Sequence, residues 1–262
     1  MKPGLAAVIA FALLAGCAPK EANLYIFGGP GRADHWLQDQ YEGYTDLYVL
    51  SDPVLDTIAV TLNGRLLRDQ YEEESQIHYY SDTVDPEPGT EYRLEVVTDV
   101  GNASASCVMP GDFVLTLSPS DSIPLNAPVS VVWTRSTRAD WYAVGCYFYS
   151  GNDSRDTTAE VRGDTSFLLP AGWLNKPCIL YVGVTAGNGP YIKAGAEGNI
   201  SNAGGFWVAS NWRSAEAVVG EPEIDVLRSY RPHGRPDEAR LRYLRAAAPY
   251  DEAAAKLLAR LK

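Results

Sequence analysis

The chain has 262 residues, with 22 Lys and Arg against 33 Asp and Glu and a formal net charge of −11 at pH 7. The imbalance is local: residues 18–222 hold 12 basic and 27 acidic side chains, whereas residues 223–262 hold 9 and 6. So acidic a body argues against nucleic acid or anionic lipid as its partner, and it sets the basic C-terminal stretch apart.

Lys2 precedes an apolar run from Leu5 to Ala15, about half of the roughly 20 residues that a membrane-spanning helix needs. A positive start, a short apolar stretch and small residues before a cut site predict a secretory signal over residues 1–16. The run ends in Leu14-Ala15-Gly16-Cys17, which resembles the lipobox of bacterial lipoproteins. The resemblance implies that the Cys17 thiol receives a diacylglycerol, that the chain is cut before it, and that the new amine is acylated. Three acyl chains exceed the two signals that stable anchoring takes. Ala18, rather than Asp, follows the cysteine, and in a Gram-negative cell this implies sorting to the outer membrane, on either its periplasmic or its external face. Residues 17–23 form a tether short enough to hold the body within about 20 Å of the membrane.

From Leu24 to Arg213 the pattern is one of short alternating runs divided by Gly, Pro, Asn and Asp, with no useful helical period. That spacing predicts an all-β chain of antiparallel sandwiches. Asn63-Gly64 sits between Thr61-Leu62 and Arg65-Leu66, and both residues tolerate the positive φ of a tight hairpin. A second hairpin is predicted from Tyr92–Val97 through Asp99–Asn102 to Ala103–Val108. Glu72-Glu73-Glu74 reads as a solvated loop. The segment from Pro88 to Val96 resembles the late-strand region of fibronectin type III and related immunoglobulin-like domains. The resemblance implies that Tyr92 ties a corner by its hydroxyl, with Leu94 and Val96 inward and Arg93 and Glu95 in water.

A second unit begins at Phe113–Leu117, after Met109-Pro110-Gly111. Val129–Trp133 followed by Ala139–Val144 again resembles the fibronectin-type B and C strands, with the tryptophan anchoring the core. Later runs are Thr157–Val161, Phe167–Leu169, Ile179–Val184 and Gly205–Ala209. The predicted organisation is two tandem sandwiches, over residues 24–112 and 113–222, each long enough to bury its own core.

Sequence motifs for catalysis are missing. His35, His78 and His233 fit no metal-ligand pattern, and no G-x-S-x-G elbow is present. Gly28-Gly29-Pro30-Gly31 lacks the Lys and Ser or Thr of a phosphate loop. Gly151–Asp156 is rich in oxygen donors but lacks EF-hand spacing, and it reads as a plain turn. The chain is therefore expected to be neither an enzyme nor a carrier of a metal or cofactor.

Alternation offers a different surface. With Val144, Cys146 and Phe148 inward, Tyr147 and Tyr149 point outward; with Leu180 and Val182 inward, Tyr181 does too. In an immunoglobulin-like sandwich these strands are neighbours, so Tyr147, Tyr149 and Tyr181 share a candidate binding face for protein or polysaccharide. Cys146 and Cys178 also face inward, which admits a disulfide between them; three buried unpaired thiols, Cys107 included, fit equally.

After Glu223 the pattern turns helical. Pro236 suits a first helical position, and short helices are predicted over Ala239–Ala248 and from Asp251 to the end. They need something to pack on: the acidic body, a groove on another envelope protein, or an anionic membrane. The expected role is a membrane-anchored, non-catalytic binding or scaffolding module, with carbohydrate binding by the Tyr face as the alternative and a hydrolase accessory third.

Overall fold

The computed structural model describes residues 24–35, 40–52, 55, 58–72, 77–82, 85–99, 101–120, 122–150, 153–193 and 195–221. The predicted signal segment, Cys17 and the predicted C-terminal helices lie outside the described residues; of the predicted Glu72-Glu73-Glu74 loop, Glu72 instead ends a strand over Arg68–Glu72, and the other two lie outside.

The first sandwich contains β1 (Leu24–His35), β2 (Gln40–Ser51), β3 (Ile58–Leu62), β4 (Arg65–Leu66), β5 (Arg68–Glu72), β6 (Ile77–Asp82), β7 (Glu91–Thr98) and β8 (Gly101–Val108). One layer runs β1-β2-β6-β5 and the other β4-β3-β7-β8, which is the A-B-E-D over C′-C-F-G order of an immunoglobulin-like domain. Alternation decides which side chains enter the space between the layers. Ile26, Leu47, Val49 and Tyr80 come from one layer and Val60, Leu62, Leu94 and Val96 from the other, and all are buried in one cluster. The Asn63-Gly64 turn has φ of 49° and 79°, the primed geometry that matches strand twist. The Glu87 amide donates to the Tyr92 hydroxyl at 2.8 Å, tying the corner.

The second sandwich contains β9 (Leu115–Ser118), β10 (Val129–Trp133), β11 (Trp141–Ser150), β12 (Asp153–Val161), β13 (Ser166–Leu169), β14 (Cys178–Asn188) and β16 (Ala209–Val219), while β15 (Gly204–Trp207), between β14 and β16 in the chain, pairs with β1 of the first. Its layers run β9-β10-β13 and β12-β11-β14-β16. Trp133 is buried and packs against Tyr142, with ring centroids 5.3 Å apart. Asp153–Asp156, read from sequence as part of a turn, belong to β12: Asp153 pairs with Ser150 and the ladder continues to Tyr142 and Val161. The sequence shows oxygen donors there, but cross-strand pairing with β11 overrides that local preference.

The two sandwiches share a sheet. β1 pairs in parallel with β15 (Tyr25 with Gly204 to Gly28 with Trp207) and then with β16 (Gly31 with Ser210 to Ala33 with Trp212). Both ladders keep one register, so the layers join into a path β12-β11-β14-β16-β1-β2-β6-β5. Gly29, at the seam, has φ of +157°, and a Cβ there would lie 1.8 Å from the Val208 carbonyl oxygen.

Beneath the seam, the linker from Met109 to Asp112 is clamped. Asn211 Nδ2 donates to the Gly111 carbonyl (3.0 Å) and to Asp112 Oδ1 (3.1 Å). Arg213 and Arg32 also reach Asp112, at 2.8 and 2.9 Å. Trp207 enters the core cluster of the first sandwich, fully buried, and its Nε1 donates to the Tyr92 carbonyl at 3.1 Å. The preceding segment follows it across, with Ser201 bridged to Ser104 on β8.

Trp207→Ala is therefore expected to destabilise the first sandwich by about 3–5 kcal/mol, the range for a truncated core aromatic. Chemical denaturation followed by near-UV dichroism checks this. A fragment ending at residue 112, lacking Trp207 and the β16 partner, is expected to show no cooperative transition.

Candidate functional site

One face of the continuous sheet covers the two cores, and the other faces outward. On the outward face, pairing places residues in rows across the strands. One row reads Trp141, Gly187, Ser210, Gly31 and Tyr44 across β11, β14, β16, β1 and β2. Glycines are needed here because rings lie on them. A Cβ on Gly187 would meet the Trp141 ring at 2.0 Å, and one on Gly31 would meet the Tyr44 ring at 2.3 Å. A second row, four residues along β1, reads Phe206, Phe27, Tyr48 and Tyr79. Phe27 and Phe206 have ring centroids 6.2 Å apart, and Tyr48 and Tyr79 5.1 Å.

Between these aromatic rows lies a row of small residues, Val208, Gly29 and Asp46. The result is a cleft of about 490 Å³ directly over the seam. Trp141, Tyr191 and Ile192 line it from the second sandwich and Tyr44 and Tyr48 from the first, with Phe27 and Phe206 of the second row also in its lining. Trp141 is held by its Nε1, which donates to the Gly189 carbonyl at 2.8 Å, and by an edge contact with Tyr191 at 4.9 Å. Ile192, on the rim, is 41% exposed and Tyr44 38%.

Polar side chains in the cleft are few, and Asp46, Tyr44 and Ser210 among them are hydrogen-bonded. The Tyr79 hydroxyl donates to Asp46 Oδ1. Burial, reinforced by that carboxylate, pushes the Tyr79 hydroxyl well above its ordinary range. The Tyr44 hydroxyl is also raised, by burial, against the opposing effect of its bond with Ser210. Both phenols are therefore neutral at physiological pH.

The sequence-predicted tyrosines lie on the same outward face, farther along β11 and β14. Tyr147 is paired with Tyr181, their rings 5.9 Å apart, and Tyr147 is 41% exposed. Tyr149 stands opposite Ile179 and is half-buried. Burial, with Glu216 next in effect, pushes the Tyr181 hydroxyl up to about 12. Trp212 lies between this group and the cleft, its ring over Gly183. The cleft itself was missed in the sequence, because its walls come from residues far apart along the chain; the visible signal was the outward set Tyr44, Asp46 and Tyr48 on one strand.

The disulfide is a correction. Cys146 stands opposite Val182, four residues along β14 from Cys178, which itself stands opposite Val219. Four residues are about 13 Å of strand, beyond the reach of a disulfide. Cys107, Cys146 and Cys178 are all free and buried.

No group of three or more His, Cys, Asp or Glu that could hold a metal occurs among the described residues. His78 is buried in the first sandwich, its Nδ1 2.9 Å from Asp69 and its Nε2 3.1 Å from the Leu55 carbonyl, which anchors the ring structurally. The side chains of His35 and His233 lie outside the described residues.

No family model matches the chain, and no curated protein matches it. Among solved structures it is similar to the FN1-FN3 domains of chicken CNTN1, at 13% identity over 78% of this chain and 69% of that one, with a TM-score of 0.25. It is also similar to a two-domain fibronectin type III segment of chicken tenascin, at 17% identity over 68% of this chain and 91% of that one, with a TM-score of 0.25. At these values the likeness adds nothing to the strand order, on which the fold rests.

Burial pushes each of the three thiols up to about 12. A raised thiol pKa keeps the reactive thiolate scarce at all lower pH. Folded protein at pH 8 is thus expected to leave these three cysteines unmodified by a thiol reagent, and protein in denaturant to lose all three rapidly. Reaction of any of them in the folded state would contradict the burial.

Proposed function

We propose that the chain is a non-catalytic binding module of the bacterial envelope, tethered to a membrane through acylated Cys17, with the aromatic outward face of the shared sheet as its recognition surface. The observation that carries the reading is the cleft over the seam. A chain that exposes Tyr44, Ile192 and Tyr147 on one face carries apolar area of the kind that marks an interaction site. Its shape fits a ligand pocket, in the usual range of about 300–1,000 Å³. The basic segment 223–262 is a second contact for an envelope protein, through amphipathic helices. An alternative, a polysaccharide stacked on Tyr147, Tyr149 and Tyr181, has the Tyr147–Tyr181 ring pair in its favour.

Two experiments test this. Cys17→Ser is expected to move the protein from the membrane fraction to the soluble fraction; retention in the membrane would refute the lipid tether. A photo-reactive residue at Ile192, on the cleft rim, is expected to capture an envelope component, whereas the same residue at Leu168, exposed on β13 in the opposite layer, captures none. Capture that survives in a chain ending at residue 222 supports the face. Capture that disappears on that truncation assigns the role to the tail.

A further inference from the structure

Three features of the cleft limit what it can hold. Aromatic rings from both sandwiches line it: Tyr44, Tyr48 and Phe27 from the first, Trp141 and Tyr191 from the second, and Phe206 from β15. A single carboxylate, Asp46, stands in the floor row beside Gly29, its position fixed by the Tyr79 hydroxyl. The other polar lining side chains are Thr185, Ser210 and phenol hydroxyls, and the Tyr44 hydroxyl is already engaged with Ser210.

A hydroxyl-rich sugar would leave many of its polar groups without partners against these walls, at a cost for each. A metal ion would find one carboxylate where six to eight oxygen ligands are wanted. A purely apolar ligand would take water from the Asp46 carboxylate and leave it the Tyr79 hydroxyl but no opposite charge. An organic cation meets none of these objections. Its charge is attracted by the faces of the rings and by the carboxylate, and its apolar substituents pack on the same rings. The molecule already contains one such contact at the rim: Lys193 Nζ lies 5.9 Å from the centroid of Tyr191, while paired with Glu160 at 2.9 Å. The excess of 27 acidic over 12 basic residues in the body concentrates cations at this surface and repels anions.

We infer that the cleft is a binding site for a small organic cation carrying a methylated ammonium group. This deepens the reading of the cleft as the recognition site and rests on it. The methyl groups matter because they spread the positive charge over an apolar surface that needs no hydrogen-bond donors from the cleft. A bare ammonium or a guanidinium brings several donors, and the cleft offers few acceptors besides Asp46.

The test is calorimetric titration of the folded protein with choline chloride, with 3,3-dimethylbutan-1-ol, which replaces the nitrogen by carbon, and with glucose. The expected result is saturable binding of choline, with the neutral isostere roughly tenfold weaker or more. Asp46→Asn keeps the shape and removes the charge, and it is expected to weaken choline by a similar factor while leaving the near-UV spectrum unchanged. Ala143→Phe, which adds a ring to the cleft wall, is expected to abolish binding; because the two variants lie on different sandwiches, one suffices if the other misfolds. Equal binding of choline and its isostere, or choline binding unaffected by Asp46→Asn, would overturn recognition of charge. Saturable glucose binding that is lost in Ala143→Phe would overturn it in favour of a sugar. Absence of choline binding up to roughly 100 mM overturns the inference outright. In that event, photo-capture from Ile192 still decides whether the face binds a partner, so the two readings fail separately.

Discussion

The parallel pairing of β1 with β15 and β16 is the constraint on which the rest of the structure depends. Tandem sandwiches joined by a linker ordinarily meet through modest, mobile interfaces. Here a ladder of backbone hydrogen bonds fuses the A strand of the first unit to the G strand of the second. The alternation of a strand then assigns work to both faces of the seam. Inward residues Trp207, Asn211 and Arg213 fill the first core and hold the linker at Gly111 and Asp112. Outward residues Phe206, Val208 and Ser210 line the cleft. Relative motion of the sandwiches would break the inner clamp and the outer cleft together, so the site is built on a rigid element rather than on loops.

Glycine makes the outer face possible. A strand glycine forgoes side-chain packing and usually weakens a sheet. At Gly31, Gly183 and Gly187 the vacancy is taken by the Tyr44, Trp212 and Trp141 rings, which lie across the neighbouring strand. The rings thereby lie close over the backbone of the sheet, where a side chain on the neighbouring strand would exclude them. Gly28 and Gly29 serve a different end. Their backbone lies against Asp46 and Val208 so closely that a Cβ at either would fall within about 2 Å of a carbonyl oxygen, so these two positions admit no side chain.

Much of this was legible along the chain and little of it across the chain. The Asn63-Gly64 hairpin, the Tyr92 corner, the inward Leu94 and Val96 and the buried Trp133 follow from local turn chemistry and period-two alternation, and the structure has them. The outward set Tyr147 and Tyr181 emerged the same way, and those two rings meet. The seam did not emerge. Gly28-Gly29-Pro30-Gly31 could be rejected as a phosphate loop, yet nothing local says that a glycine run near one end of the chain will pair with Gly204–Trp212. The cysteines show the same limit from another side: alternation put Cys146 and Cys178 inward correctly, but facing the same core is a weaker condition than sharing a rung, and the four-residue stagger between them depends on a register that only the folded ladder sets.

The lipid tether proposed at Cys17 and the cleft are linked by the same strand. Residues 18–23 lead directly into β1, whose Phe27, Gly28 and Gly29 lie only ten to twelve positions beyond Cys17. Even fully extended, that length of chain spans about 40 Å. An acylated Cys17 would therefore hold the cleft within about that distance of the membrane surface. Its strand would also be pinned at one end by the lipid and along its length by β2 and β16. Acidic surface would be repelled by anionic headgroups over roughly a Debye length, near 8 Å at physiological salt, while such a tether would limit how far the body could retreat. These opposed forces favour a stand-off in which the body sits clear of the headgroups but near them. A small cation, the ligand proposed for the cleft, would be enriched near so acidic a body by the same negative charge.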